Sequence, residues 1–139
     1  MGKSITFTMI KPPAVNDQNF GSILSMIKEA GFRVTSLKMI QLTNNSASAF
    51  YAEHIGKSFF EDLVKFMTSG PIIAAILEKE NAVADFRKLI GSTDPAKAEE
   101  GTVRALFGKS LQSNAIHGSD SDESAVRESN FFFNHFERF

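Results

Sequence analysis

Cysteine is absent from all 139 residues, which removes a disulfide framework, a thiolate zinc site and a cysteine nucleophile together. Histidine is scarce. Only His54, His117 and His135 occur, with no HExxH and no paired spacing, so the sequence offers no ligand set for a protein-held zinc and the expectation is a metal site of none. Neither sign of charge dominates: fifteen Lys and Arg stand against sixteen Asp and Glu, a net charge of −1. No overall basic field then draws nucleic acid or an anionic membrane, and any anion site has to be local. Long apolar runs are missing too, since the longest, 72–77, falls far short of the about 20 residues a bilayer-spanning helix requires. No membrane partner is expected, and a cytoplasmic location fits the cysteine-free composition.

What is present is globular in kind. Hydrophobic residues make up 42% and charged residues 22%, away from the composition of disordered chains, and the length suits one domain over 1–139. Ile5, Phe7 and Met9 alternate with polar neighbours up to Lys11-Pro12-Pro13, which predicts a first strand ended by prolines. Ile23, Leu24, Ile27 and Ala30 recur at helical spacing until Gly31. Phe32 and Val34 alternate, then Leu37 and Met39 resume out of phase, the pattern of a bulged strand. Positions 46–67 read as a helical hairpin broken at Gly56-Lys57-Ser58, and 71–78 as a central strand covered on both faces.

Farther on, Asn81 stands where a cap precedes a helix carrying Val83, Phe86, Leu89 and Ile90 and ended by Gly91. From Gly91 the chain reads as an ordered loop without apolar periodicity, opened by Ser92-Thr93-Asp94-Pro95. Ser119 with Asp122 outlines a cap for a last helix through Glu128. Five of the fourteen phenylalanines fall in 131–139 and call for burial in the core or against another subunit. The element order predicts an α+β sandwich of ferredoxin-like type: an antiparallel sheet with helices packed on it, on one face, plus an ordered loop near 91–114.

Gly-Lys-Ser occurs at Gly2, Gly56 and Gly108. A phosphate-wrapping P-loop also needs a glycine five positions earlier, where the second and third triplets have Tyr51 and Val103. All three are decoys. His117 has a different context: it closes the short segment Asn114-Ala115-Ile116 and is followed by Gly118-Ser119-Asp120 and a helix start. An imidazole placed there faces the positive end of a helix, where a phosphate is favoured. On position alone, a hydrogen-bonded turn histidine is the better explanation.

Asn114-x-x-His117-Gly118-Ser119-Asp120 resembles the signature of nucleoside diphosphate kinases, and the likeness runs along essentially the whole chain. Thr8-Met9-Ile10-Lys11-Pro12, Phe59-Phe60, Ser69-Gly70-Pro71, Gly91-x-Thr93-x-Pro95 and Gly101-Thr102-x-Arg104 follow one another in the family's order, and by the resemblance the last two make the loop near 91–114 a phosphate-side loop. A lone HGSD carries little weight; a colinear set is specific.

The resemblance implies a ping-pong exchange of phosphoryl groups between nucleoside triphosphates and diphosphates through a phosphohistidine at His117, because two nucleotides that never meet need a covalent carrier. It implies that Glu128 orients that ring. Lys11, Arg87 and Arg104 match the family's cations and Tyr51 and Thr93 its hydroxyl donors, groups suited to the charge of a phosphoryl group in transfer. Phe59 matches the ring on which the base stacks, and Lys11 and Asn114 match the residues expected at the ribose hydroxyls. Mg2+ is implied as a cofactor arriving on the nucleotide, and a homo-oligomer, tetramer or hexamer, as the assembly. Pro13 and Gly56-Lys57-Ser58 depart from the family's pattern, and the end at Phe139 resembles its shorter bacterial forms. A nucleic-acid-binding module on the same sheet would need an RNP-type strand and a basic face, neither of which is present.

Overall fold

The computed structural model describes residues 2–139. Among these residues four strands form one antiparallel sheet: β1 (Lys3–Ile10), β2 (Arg33–Ile40), β3 (Ile72–Glu80) and β4 (Ile116–Gly118). Their spatial order is β2-β3-β1-β4, so β1 and β3 are paired on both sides while β2 and β4 lie at the edges. Between Val34 and Ser36 the register of β2 against β3 shifts by a bulge, the geometry that the phase change between Val34 and Leu37 predicts.

Among the described residues seven α-helices connect and cover the strands: α1 (Pro12–Asn16), α2 (Phe20–Glu29), α3 (Asn44–Phe50), α4 (Phe60–Met67), α5 (Ala82–Ile90), α6 (Val103–Phe107) and α7 (Asp122–Phe132). Alternation along the strands sends successive side chains to opposite faces, and both faces are covered. Ile10, Ile73, Ala75, Leu77 and Ile116 pack with Ile23 and Ile27 of α2 and Phe86 and Ile90 of α5. Phe7, Met9, Ile72, Ala74 and Ile76 pack with Ala47 of α3, Val64 and Met67 of α4 and Phe132 of α7. The expectation of helices on one face is therefore corrected: the 3.6-residue periodicity of a helix shows that it has an apolar side but not which side of the sheet receives it.

Local chemistry accounts for the remaining differences from the periodicity. Pro12 and Pro13 do end β1, but they also occupy the first positions of α1, where the missing N–H costs nothing. Asn81 makes no cap with its side chain; it takes a left-handed turn at φ 55°, which Asn tolerates better than most residues. Ser121, not Ser119, caps α7 by accepting the Ser124 N–H at 3.1 Å, and the helix runs past Glu128 to Phe132. Within the loop after Gly91, Pro95–Lys97 forms a 3-10 turn and Thr102 caps α6, a helix too short for periodicity to register. Of the terminal phenylalanines, Phe132 and Phe133 are buried, whereas Phe131, Phe136 and Phe139 are exposed. Among the described residues no helix is long and apolar enough to cross a membrane.

Candidate active site

His117 lies in the middle of β4, opposite Met9 of β1. Its neighbour Ile116 points into the α2–α5 core, so the alternation of the strand turns the imidazole to the other face. There its ring centroid is 6.1 Å from that of Phe7 and 6.0 Å from that of Phe50. Two aromatic walls restrict the tilt of the ring, and one hydrogen bond sets its rotation: Nε2 meets Glu128 Oε1 at 3.0 Å. Glu128 comes from the second turn of α7 and is itself buried. A carboxylate accepts, so Nε2 carries the proton in the uncharged ring and Nδ1 carries the lone pair, a tautomer assigned from this bond.

Sequence reasoning gives Ser119 the wrong task. Its hydroxyl donates to Glu128 Oε1 at 2.7 Å and accepts the Phe7 N–H at 3.1 Å. The same carboxylate oxygen is thus held from the chain two residues beyond the histidine, and the carboxylate is fixed before it fixes the ring. No spacing rule ties a serine to a glutamate nine positions on, so only the fold reveals the contact.

A pocket of about 900 Å³ opens beside this ring and is lined by Lys11, Arg87, Thr93, Arg104, Asn114 and His117 among others. Six sequence-matched residues, from the residue after β1, α5, the loop after it, α6, the segment before β4 and β4 itself, therefore converge on one cavity. Thr102, quoted in the motif with Arg104, also lines it, as do Lys88 and Lys97, and Glu99 is the carboxylate on its wall; Lys88, Lys97 and Glu99 do not stand out in the sequence. The helix N-terminus expected to favour an anion is not part of the wall. α7 opens with Asp122 and Glu123 and gives the histidine a side chain from its interior, so cationic side chains supply the positive field instead.

The cations are held rather than floating. Arg104 donates from Nη1 to the Gly91 carbonyl at 3.0 Å and from Nη2 to the Ile116 carbonyl at 2.8 Å. Lys11 donates from Nζ to Asn114 Oδ1 at 2.7 Å, and Asn114 Nδ2 donates to the Thr93 carbonyl at 2.9 Å. Gly91 allows this approach: its φ is +88°, and a Cβ there would lie 2.5 Å from Thr102 Oγ1. Burial, and after it the charge of Arg104, lowers the Lys11 pKa to about 8. Burial and the nearby Arg87 bring Arg104 down to about 10. Crowded, partly dehydrated cations of this kind favour a polyanionic ligand that neutralises them.

Tyr51 and Phe59 stand outside the pocket wall. Tyr51 is buried, its ring edge-on to Phe50 at 4.9 Å. Burial, followed by the charge of Glu128, raises its pKa, so its hydroxyl keeps the proton and remains a donor. Phe59 precedes α4 and is 46% exposed, with the His54 ring 5.2 Å away. Gly56, at φ +88°, makes the turn between the two halves of this hairpin.

The family model described as nucleoside diphosphate kinase matches residues 4–138. The chain belongs to the nucleoside diphosphate kinase family. It is 53% identical over 133 residues to the nucleoside diphosphate kinase of Flavobacterium psychrophilum, covering 96% of each chain. With that of Chlorobaculum tepidum it shares 55% over 128 residues, 92% of this chain and 91% of the relative. Among solved structures, the nucleoside diphosphate kinase of Aquifex aeolicus superposes with a TM-score of 0.96 at 40% identity, over 99% of this chain and all of the other. The Halobacterium salinarum nucleoside diphosphate kinase, solved in complex with CDP, gives a TM-score of 0.95 at 36% identity, over 99% and 92%. Nucleoside diphosphate kinases are transferases that need a divalent cation, and the ferredoxin-like α+β fold expected from the sequence is theirs.

Proposed function

We propose that this chain, acting as one domain over 1–139, carries out nucleoside diphosphate kinase phosphotransfer with His117 Nδ1 as the atom that forms the covalent intermediate. The observation that carries the assignment is the 3.0 Å bond from Nε2 to Glu128, made beside a pocket rich in cations. The Nδ1 lone pair forms a bond to the γ-phosphorus of a nucleoside triphosphate as the bridging P–O bond breaks, and the diphosphate leaves with that oxygen. A second diphosphate then attacks the phosphorus through a terminal oxygen, and the P–N bond breaks with its electron pair returning to Nδ1. One phosphoanhydride is exchanged for another, so the cycle is reversible.

Each side chain has a physical task in this reading. Glu128 opposes the positive charge that the ring gains when Nδ1 is bonded to phosphorus. Arg87, Arg104 and Lys11 stabilise the oxygens of the phosphoryl group in transfer, and Thr93 and Tyr51 donate hydrogen bonds. Lys11 and Asn114, already bonded to each other, serve the ribose hydroxyls. Phe59 offers an exposed face to the base, and stacking accepts every base because each has a π-face.

Mg2+ is the divalent cation of this proposal. The pocket wall is basic and among the described residues no three His, Asp or Glu side chains converge on a metal site, a donor set that suits an ion held by the nucleotide's own phosphates. Bound there, it would neutralise phosphate charge. Exposed Leu37 and Met39 on the edge strand β2, with exposed Phe136 and Phe139, support a homo-oligomer, whose order sedimentation would give. A cytoplasmic location, where nucleoside triphosphates are made and used, completes the reading. Incubation with γ-labelled ATP is expected to give an acid-labile, alkali-stable label on the protein, and His117→Ala to abolish both label and turnover. Retained turnover in that variant would overturn the assignment.

A further inference from the structure

The strand that carries His117 is the shortest in the sheet and lies at its edge. Two of its carbonyls are gripped by side chains from other elements. The Ile116 carbonyl accepts from Arg104, and the carbonyl of His117 itself accepts from Thr8 Oγ1 at 2.7 Å. Thr8 is opposite Gly118 in the register and 1% exposed. That face is sealed as well, because a Cβ on Gly118 would meet Ile90 Cδ1 at 2.9 Å and Phe86 Cδ2 at 3.0 Å. A hydroxyl so enclosed has to find its partner in the protein, and the partner it takes is the backbone of the histidine.

We propose that Thr8 is a positioning residue for phosphoryl transfer, its hydroxyl fixing the His117 backbone while Glu128 fixes the ring. This rests on the reading of His117 as the phosphorylated residue. The two grips come from different elements, β1 and α7, one acting on the backbone of His117 and the other on the far end of its side chain. Glu128 sets the rotation of the imidazole about its own axis of attachment; the Thr8 bond sets where that attachment stands. In-line attack tolerates displacements of only about half an ångström, and a three-residue edge strand has few ladder bonds with which to resist them. Valine has a methyl group where threonine has its hydroxyl, so Thr8→Val removes the donor with little change of volume and leaves the His117 carbonyl without that bond.

The test compares full-length wild type, Thr8→Val and Thr8→Ser in single-turnover phosphorylation by γ-labelled ATP, in ADP affinity by calorimetry and in thermal melting. Thr8→Val is expected to slow phosphohistidine formation roughly three- to tenfold, the usual range for one net hydrogen bond, with ADP affinity within about twofold of wild type. Thr8→Ser, which keeps the donor, is expected to recover the rate. A merely structural threonine would lower the melting temperature without separating rate from affinity. A wild-type rate in Thr8→Val, or a Thr8→Ser as slow as Thr8→Val, overturns the proposal. If Thr8→Val does not fold, Thr8→Ala replaces it in the same comparison; if neither folds, the hydroxyl is a folding determinant and the proposal falls. A wild-type protein that takes no acid-labile label overturns the His117 reading instead, a failure visible before any substitution is made.

Discussion

β3 and β4 belong to one sheet and are built on opposite principles. β3 has nine residues, pairs with a strand on each side and buries Ile72 to Leu77 between two layers of helices. β4 has three residues, pairs on one side with β1, and depends on Thr8, Arg104 and Ser119 for much of its hydrogen bonding. The first is held by apolar area and a long ladder; the second by a few directional contacts from distant parts of the chain. A reactive side chain on β3 would be sealed in the core. On β4 the histidine has fixed neighbours behind it and an open pocket beside it, so rigidity and access coexist.

That contrast can be broken by substitutions that move stability without chemistry, or chemistry without stability. Leu77→Ala in β3 removes a fully buried side chain and is expected to cost about 2–5 kcal/mol in denaturant unfolding; phosphotransfer per folded molecule should stay at the wild-type level. Glu128→Gln keeps the shape behind β4 but not the charge, and should lower the rate of phosphohistidine formation roughly 100-fold with melting close to wild type. A large loss of activity in Leu77→Ala, or none in Glu128→Gln, would erase the distinction between scaffold strand and working strand.

Smaller effects sharpen it. Gly91→Ala places a Cβ against Thr102 at a positive φ and is expected to cost about 1–3 kcal/mol, with weaker ADP binding by calorimetry because the Gly91 carbonyl anchors Arg104. The smallest effect is one of pH. Lys11, with its pKa lowered to about 8, is charged below that value and loses its charge as the pH rises through it. Affinity for ADP should therefore fall a few-fold between roughly pH 7 and 9, whereas Lys11→Arg, charged throughout, should bind with a flat profile.

β3 was legible in advance because a continuous apolar run between Ser69-Gly70 and charged residues has few other uses. So were the bulge in β2 and the helix ending at Gly91, each read from a break in local period. α6 was not, since five residues capped by Thr102 make no periodic signal. The site divides in the same way. Its residues were nameable one by one through the likeness of motifs, but Lys88, Lys97 and Glu99 carry no mark in a linear reading, and nothing in it ties Ser119 to Glu128. Their significance comes from what lies opposite them.

By itself the sequence settled the alternation and spacing that make four strands and most of the helices, and the ordered set of motifs that places the chain in its family. Local steric and hydrophobic rules act over a few residues, and a sequence displays them directly. Only the folded chain decided that helices cover both faces of the sheet, that Glu128 takes Nε2 and leaves Nδ1, and that the cations around the pocket share one wall. Those outcomes depend on contacts between residues up to about a hundred positions apart, such as Lys11 with Asn114 and Thr8 with His117, and contacts of that range are made by packing rather than by neighbourhood in the chain.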